Sequence, residues 1–346
     1  MAQYAGNLPL SSSPMSLTET RAPPTQSPGM ASKEWSNFHV GRECSHQKWA
    51  RRNTPKFTIS SGETVSFDAI DSSNGQLDTS SDAAAIKALD LNLANPVFGP
   101  IYMNDAQPGD VLKVEVLDLQ VADWGWSAII PGFGLLADEF PEPELKIWEL
   151  NREAGFAQFK NMRIPLRPFL GCMGLAPASD EELSTVPPTN AGGNMDCREL
   201  SVGSTVYLPV QTAGALFSCG DGHAAQGHGE VCGTAIETPI RATLRFELVK
   251  NQPWMTAPQF QTPPRAQIPN PLPDLGTYGA LGVAPDLYEA TRSATRNLIQ
   301  WLVQTKGLTR SEAYILSSVA GDLQIAEVVN VPNFEVAMTL PLGIFS

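Results

Sequence analysis

The chain has 346 residues, 42% hydrophobic and 17% charged, and its 36 acidic against 23 basic side chains leave a formal net charge of −13. That size suits two domains or one large β-rich unit with a substantial core, and the acidic balance argues against nucleic acid or an anionic membrane surface as partner, since both are held through Lys and Arg. No apolar run approaches the ~20 residues of a spanning helix, because the stretch from Ala128 to Ala137 is interrupted by Pro131, Gly132 and Gly134.

Residues 1 to about 35 are rich in Ser, Pro, Thr and Gly. Such a composition buries too little apolar area to offset the entropy of ordering, and a flexible tail is expected. Arg21 is its first basic residue and no apolar run precedes it, so no secretory signal is read there and the cytoplasm is the expected compartment. The five cysteines (Cys44, Cys172, Cys197, Cys219, Cys232) contain no CxxC pair, which disfavours a zinc ribbon and a disulfide framework.

From Phe57 the pattern turns to β. Phe57 and Ile59, then Val65 and Phe67, alternate around a Ser-Ser-Gly-Glu turn at 60–63. Leu112, Val114 and Val116 follow a Pro-Gly-Asp break, and Val206, Leu208 and Val210 form a later strand. Ile240, Ala242, Leu244, Phe246 and Leu248 alternate with Arg241, Thr243, Arg245 and Glu247, which predicts a strand with one buried face. The Pro-rich stretch 251–283 is expected to be an irregular connection.

A helical hairpin is predicted over 285–321. Asp286 with Glu289 makes a capping pair, the apolar residues from Leu287 to Leu302 recur at helical spacing, and Gly307 suits the stop. Thr309 with Glu312 repeats the capping logic for a second arm, and a last strand runs through Phe334, Val336, Met338 and Leu340. The expected class is mainly β (α+β), with sub-boundaries near residues 100 and 190 inside a unit spanning 36–346.

Chemistry concentrates in GALFSCGDGHAAQGHGEVCGTAIE, residues 214–237, where Asp221, His223, Gln226, His228, Glu230 and Glu237 lie among six glycines. Glycines let the backbone approach a ligand closely, and an extended 221–223 would put Asp221 and His223 on one side. Imidazole plus carboxylates suits a borderline divalent cation such as zinc. A hydrogen-bonded Asp-Gly-His turn would look similar, and the spacing matches no generic zinc signature. Asn194 to Cys197 reads, from the residues alone, as a turn with an Asx cap, and the segment 67–76, with Asp68, Asp71 and Gln76, can be simply a polar hairpin loop. The serine pairs lack a nucleophile elbow, Cys172 reads as core, and there is no phosphate-binding glycine loop.

GDGHAAQGHGEV (220–231), GGNMDC (192–197), NPVFGPI (95–101), QPGDVL (107–112), IPGFGLL (130–136), GCMGLAPA (171–178), GSTVYLPV (203–210) and LSSVAGDLQI (316–325) together resemble the acetamidase/formamidase family. The resemblance runs in order from about His46 to the C-terminus. It implies hydrolysis of a short-chain amide such as formamide or acetamide to the carboxylate and ammonia. It also implies a sandwich-like part with a smaller barrel-like part, and a homo-oligomer. The family's acidic and histidine positions map onto Asp71, Asp196, Asp221, His223, Glu230 and Glu237, with Asn194 and Gln76 beside them and His46 near the N-terminal histidine. His228 stands where relatives often carry Asp, and Gln226 is not a fixed family position.

With no convincing Ser or Cys nucleophile, a divalent metal, zinc first, is the expected cofactor, because it lowers the pKa of a bound water toward ~7. Asp221 and His223 are the expected ligands, completed by Asp71 or Asp196. Glu230 is the expected acid/base, exchangeable with Glu237, with Asp196 counted beside them and Asn194 and Gln76 contacting substrate. Two other readings stay open: a metal-free amidase using Cys172, and a non-catalytic metal-stabilised sandwich.

Overall fold

The computed structural model describes residues 38–345, apart from 135–136, 138–140, 160–161, 231, 265–272, 311–312 and 314–320. The expected tail, residues 1–35, lies outside the described residues, and so does most of the second arm of the hairpin.

Alternation builds the larger sheet. Ile240–Val249 pairs antiparallel with both Thr64–Ala69 and Val111–Val121, with Leu244 opposite Val65 and Val116. Ile240, Ala242, Leu244 and Phe246 are buried and Leu248 is half-buried, while Arg241, Arg245 and Glu247 face solvent, as period two requires. Nine strands lie in the order Phe38–Val40, Thr64–Ala69, Ile240–Val249, Val111–Val121, Thr205–Pro209, Gln259–Gln261, Thr277–Ala284, Phe334–Pro341 and Asp322–Glu327. The stretch 251–283 is therefore not simply irregular. Gln259–Gln261 and the start of Thr277–Ala284 are sheet strands, and the first of them is too short for alternation to show between prolines.

A six-stranded sheet packs across the first half. Gly192–Asn194, Phe169–Gly174, Phe217–His223, Val97–Met103 and Ser45–His46 follow in order, and Thr58–Ile59 pairs in parallel with Val97–Met103. Phe217 from this sheet meets Phe67 and Phe246 from the larger one at ring-centroid distances of 5.9 and 5.0 Å, so the sandwich core is closed by aromatic edges. All three rings are buried, and truncating one such Phe costs about 3–5 kcal/mol. A four-stranded meander, Trp124–Ile129 to Met162–Pro165, completes the unit. Among the described residues no sheet closes into a barrel.

The helix Leu287–Lys306 starts where Asp286 accepts the Glu289 N–H at 2.9 Å and stops at Gly307, whose φ is +69°. Ala290, Ala294, Leu298 and Leu302 press onto the far half of the larger sheet, and Trp301 stacks on Tyr278 at 3.8 Å. Gly282 makes the close approach possible, since a Cβ there would strike the helix backbone at Ala290 and Ala294. No helix among the described residues is long and apolar enough to cross a membrane.

Candidate metal centre and active site

Three segments of the six-stranded sheet deliver the central groups. Phe217–His223 ends in Asp221 and His223, Phe169–Gly174 runs beside it, and Asp196 follows the neighbouring strand Gly192–Asn194. Glu237 arrives from the side, its backbone bonded to Trp126 by a reciprocal pair at 2.8 and 2.9 Å. Glu230 is tied through Gly229 to the edge strand of the larger sheet, the Gly229 N–H donating to the Ala326 carbonyl at 3.1 Å. Asp196, Asp221 and Glu230 have φ of +43°, +57° and +45°, a region that non-glycine residues rarely occupy. Three such residues in one cavity mark strain held at a site by the surrounding fold.

His223 is the hub. Its Nε2 lies 3.2 Å from Glu237 Oε2, 3.3 Å from Asp221 Oδ1, 3.9 Å from Asp196 Oδ1 and 4.0 Å from Glu230 Oε1. Gln226 settles which nitrogen faces them. Its NH2 donates to the Asp196 carbonyl at 2.8 Å, so its Oε1 accepts from His223 Nδ1, also at 2.8 Å. Nε2 then points at the carboxylates, donating its proton to them in this structure and able to present its lone pair there to a cation that displaces that proton. Phe169 packs edge-on against the imidazole at 4.9 Å. Gly171 leaves room for two acids: a Cβ there would fall against Asp221 Oδ2 and 2.6 Å from Asp196 Oδ1.

Four buried carboxylates cannot all stay ionised around one imidazole without a compensating charge. Burial, reinforced by Asp221, pushes Asp196 up to about 7, and burial raises Asp221 to about 6 against the pull of His223. Glu230 is driven well above the carboxylate range by burial and Asp196. Burial opposes charge on His223, yet Glu237 and Asp221 outweigh it and raise the imidazole well above its usual value. Glu237 is also penalised by burial, but His223, the Ser72 hydroxyl (2.7 Å) and the Ala235 N–H (2.7 Å) hold it below the ordinary value.

The donors fit a divalent cation. Asp196, Asp221 and His223 form one group with ligand atoms within 4.8 Å of one another, and His223, Glu230 and Glu237 form a second. Asp196 Oδ1 is buried without a hydrogen-bond partner, while Oδ2 accepts from the Asn330 side chain at 2.5 Å. One unpaired anionic oxygen aimed at an imidazole nitrogen is what a cation would complete.

Five predicted residues, Asp196, Asp221, His223, Glu230 and Glu237, thus converge. Asp71 stands apart from them: its Oδ1 accepts from the Ser73 N–H (3.0 Å), the Ser73 hydroxyl and the Trp126 indole (2.9 Å). It anchors the tryptophan whose backbone carries Glu237. Gln76 reaches the cavity, yet both ends of its amide are occupied by Asp90 backbone and the Ser73 carbonyl. Asn194 lines the cavity and accepts from the Cys172 thiol at 3.0 Å. That thiol is fully buried and raised well above its usual pKa by burial and the nearby Asp221 and Asp196, so it is a donor rather than a nucleophile. His46 bonds Ser218 and the Lys48 carbonyl, and His228 approaches Glu199 at 3.6 Å, both away from the cluster.

Sequence reasoning missed Ser72, Gly171, Gln226 as an orienting group, and Asn330. Ser72, Gly171 and Gln226 lay inside segments it had singled out, and Asn330 lay outside all of them.

The pattern of the acetamidase/formamidase family matches residues 35–183 and 178–346, and the chain belongs to that family of amidohydrolases. An acetamidase from Bacillus halodurans has a solved structure that superposes with a TM-score of 0.81 at 30% identity, covering 89% of this chain and 98% of that one. A formamidase from Methylophilus methylotrophus is 24% identical, covering 87% of this chain and 89% of its own. An acetamidase from Mycolicibacterium smegmatis is 26% identical over 59% of this chain and 66% of its own.

Proposed function

We propose that the chain hydrolyses a linear primary amide to the carboxylate and ammonia with a divalent cation, zinc best matching the donors, held by Asp196, Asp221 and His223. The observation that carries this reading is the ring of four buried carboxylates around His223, with Asp196 Oδ1 left unpaired. When bound, the cation would polarise the amide carbonyl and acidify a water.

The protein's own groups handle position and protons. Glu230 has no hydrogen-bonded side-chain partner among the described residues, so it is the carboxyl free to take a proton from the attacking water and pass it to the departing nitrogen. Glu237, clamped by Ser72 and Ala235, remains an anion and holds the imidazole in line. Asn194 spends its oxygen on Cys172, leaving its NH2 to donate to the substrate carbonyl. Asp196, expected beside the catalytic acids, is here a ligand, because its free oxygen faces Nε2.

Five free cysteines, with no disulfide among the described residues, support a reducing compartment such as the cytoplasm. Exposed Leu323 and Ile325 on the edge strand Asp322–Glu327 support a homo-oligomer. The test is ammonia release before and after exhaustive chelation, with elemental analysis. Activity should vanish on metal removal and return with zinc. Turnover that survives complete removal sinks the cation, and a metal-loaded protein inert on every amide sinks the enzyme.

A further inference from the structure

The carboxylate cluster lines a cavity of about 340 Å³ that also carries side chains of a different chemistry. At ~30 Å³ per water-sized group, that space takes roughly ten heavy atoms. Acetamide has four. The volume falls at the lower end of sites that enclose small organic molecules.

Leu89, Leu91, Ile130, Phe133, Val186 and Val331 line the same cavity and give it an apolar wall. Leu91 and Val331 are 61% and 62% exposed, so folding leaves their apolar surface uncovered at the mouth. The wall is built rather than incidental. Gln76 bonds Asp90 through both ends of its amide (2.9 and 3.1 Å), pinning the turn that carries Leu89 and Leu91. Opposite, Phe133 closes a turn on Ile130 at 3.0 Å, and its ring occupies space that a Cβ on Gly233 would need.

We propose that the preferred substrate is a primary amide with a medium-sized apolar acyl group, of about five to eight carbons, linear or aromatic. The amide sits at the acids and the hydrocarbon lies along this wall. This rests on the amide-hydrolase reading and narrows it: formamide and acetamide are poor substrates because they leave the wall wet. Gln76 becomes a positioning residue for the wall rather than a contact to the amide.

The experiment compares kcat/KM of the zinc-loaded protein for formamide, acetamide, butanamide, hexanamide and phenylacetamide. In parallel, binding of the same amides is followed by the fluorescence of Trp126, which lines the cavity. Each methylene moved from water to the wall should improve kcat/KM about fourfold, so hexanamide, with four more methylenes, should exceed acetamide at least tenfold even if only half of them are buried, and bind at correspondingly lower concentration. In the Leu91→Ser/Val331→Ser double variant the hexanamide-to-acetamide ratio should fall at least threefold. Acetamide equal to or better than hexanamide in turnover overturns the inference and leaves the amidase standing. Ammonia from none of the amides, with the binding order kept, upholds size selection and overturns the amidase. Hexanamide binding no better than acetamide overturns the inference whatever the turnover.

Discussion

Two groups of buried acids are joined through Asn330, and only one of them lines a cavity. Glu327 and Glu335 are fully buried partners on adjacent strands of the larger sheet. Glu335 has no hydrogen-bond partner on either oxygen, and Glu327 Oε1 has none, so unpaired oxygens alone do not distinguish them from Asp196. Burial, the dominant cause, holds Glu327 at about 8 despite the Val329 and Asn330 N–H groups, and Glu335 lies well above the carboxylate range. Without a nearby imidazole, burial is answered by protonation, and neither residue lines the cavity. Around His223 the acids face an imidazole, a cavity and strained backbone. The difference teaches that a base and access for solvent convert buried acidity into chemistry.

The largest expected effect separates the two groups directly. Glu230→Gln should lower ammonia release by about 10²- to 10⁴-fold with zinc content and far-UV circular dichroism unchanged. Glu335→Gln, the same substitution outside the cavity, should leave turnover within about twofold, as for substitutions that touch neither the cavity nor its ligands. Equal losses would erase the distinction drawn here.

Asn330 joins the groups, since its N–H is held by Glu327 Oε2 at 2.9 Å while its side chain donates to Asp196 Oδ2. Asn330→Ala should weaken zinc affinity about 10- to 100-fold in competition titrations, the usual cost of losing a group that orients a ligand. Unchanged affinity would detach the acidic pair from the centre altogether.

A smaller effect concerns pH. Glu327 is raised from 4.5 to about 8 on folding, so between those values the folded chain keeps a proton that the unfolded chain has released. Stability from this group is therefore full below 4.5 and falls as pH rises toward 8, at up to ~1.4 kcal/mol per unit. Glu327→Gln removes the slope. In urea unfolding of the metal-free protein, the variant should gain on the wild type from pH 5 to pH 8, by roughly 1 kcal/mol or more. A difference that is flat with pH would mean that Glu327 is ionised in the fold.

Local pattern carried much of the architecture. The alternation from Ile240 to Leu248, the Asp286 cap and the Gly307 stop were all legible, because each depends on neighbours within a few residues. Gln259–Gln261 was not, since a three-residue strand is defined by its partners on Thr205–Pro209 and Thr277–Ala284. The site divides in the same way. The glycine-rich segment 214–237 supplies Asp221, His223, Glu230 and Glu237 on one stretch of chain, and the resemblance brought in Asp196.

By itself the sequence determined that the fold is mainly β and singled out five of the polar side chains that meet around His223, because composition, period and motif are properties of the chain read in order. Only the tertiary structure decided that Asp71 anchors Trp126 rather than joining the acids, that Asn330 and Ser72 do the holding, and that Gln76 fastens an apolar wall. Those roles depend on distances between segments far apart in the chain, set by how two sheets and their loops pack, and no spacing along the polypeptide encodes them.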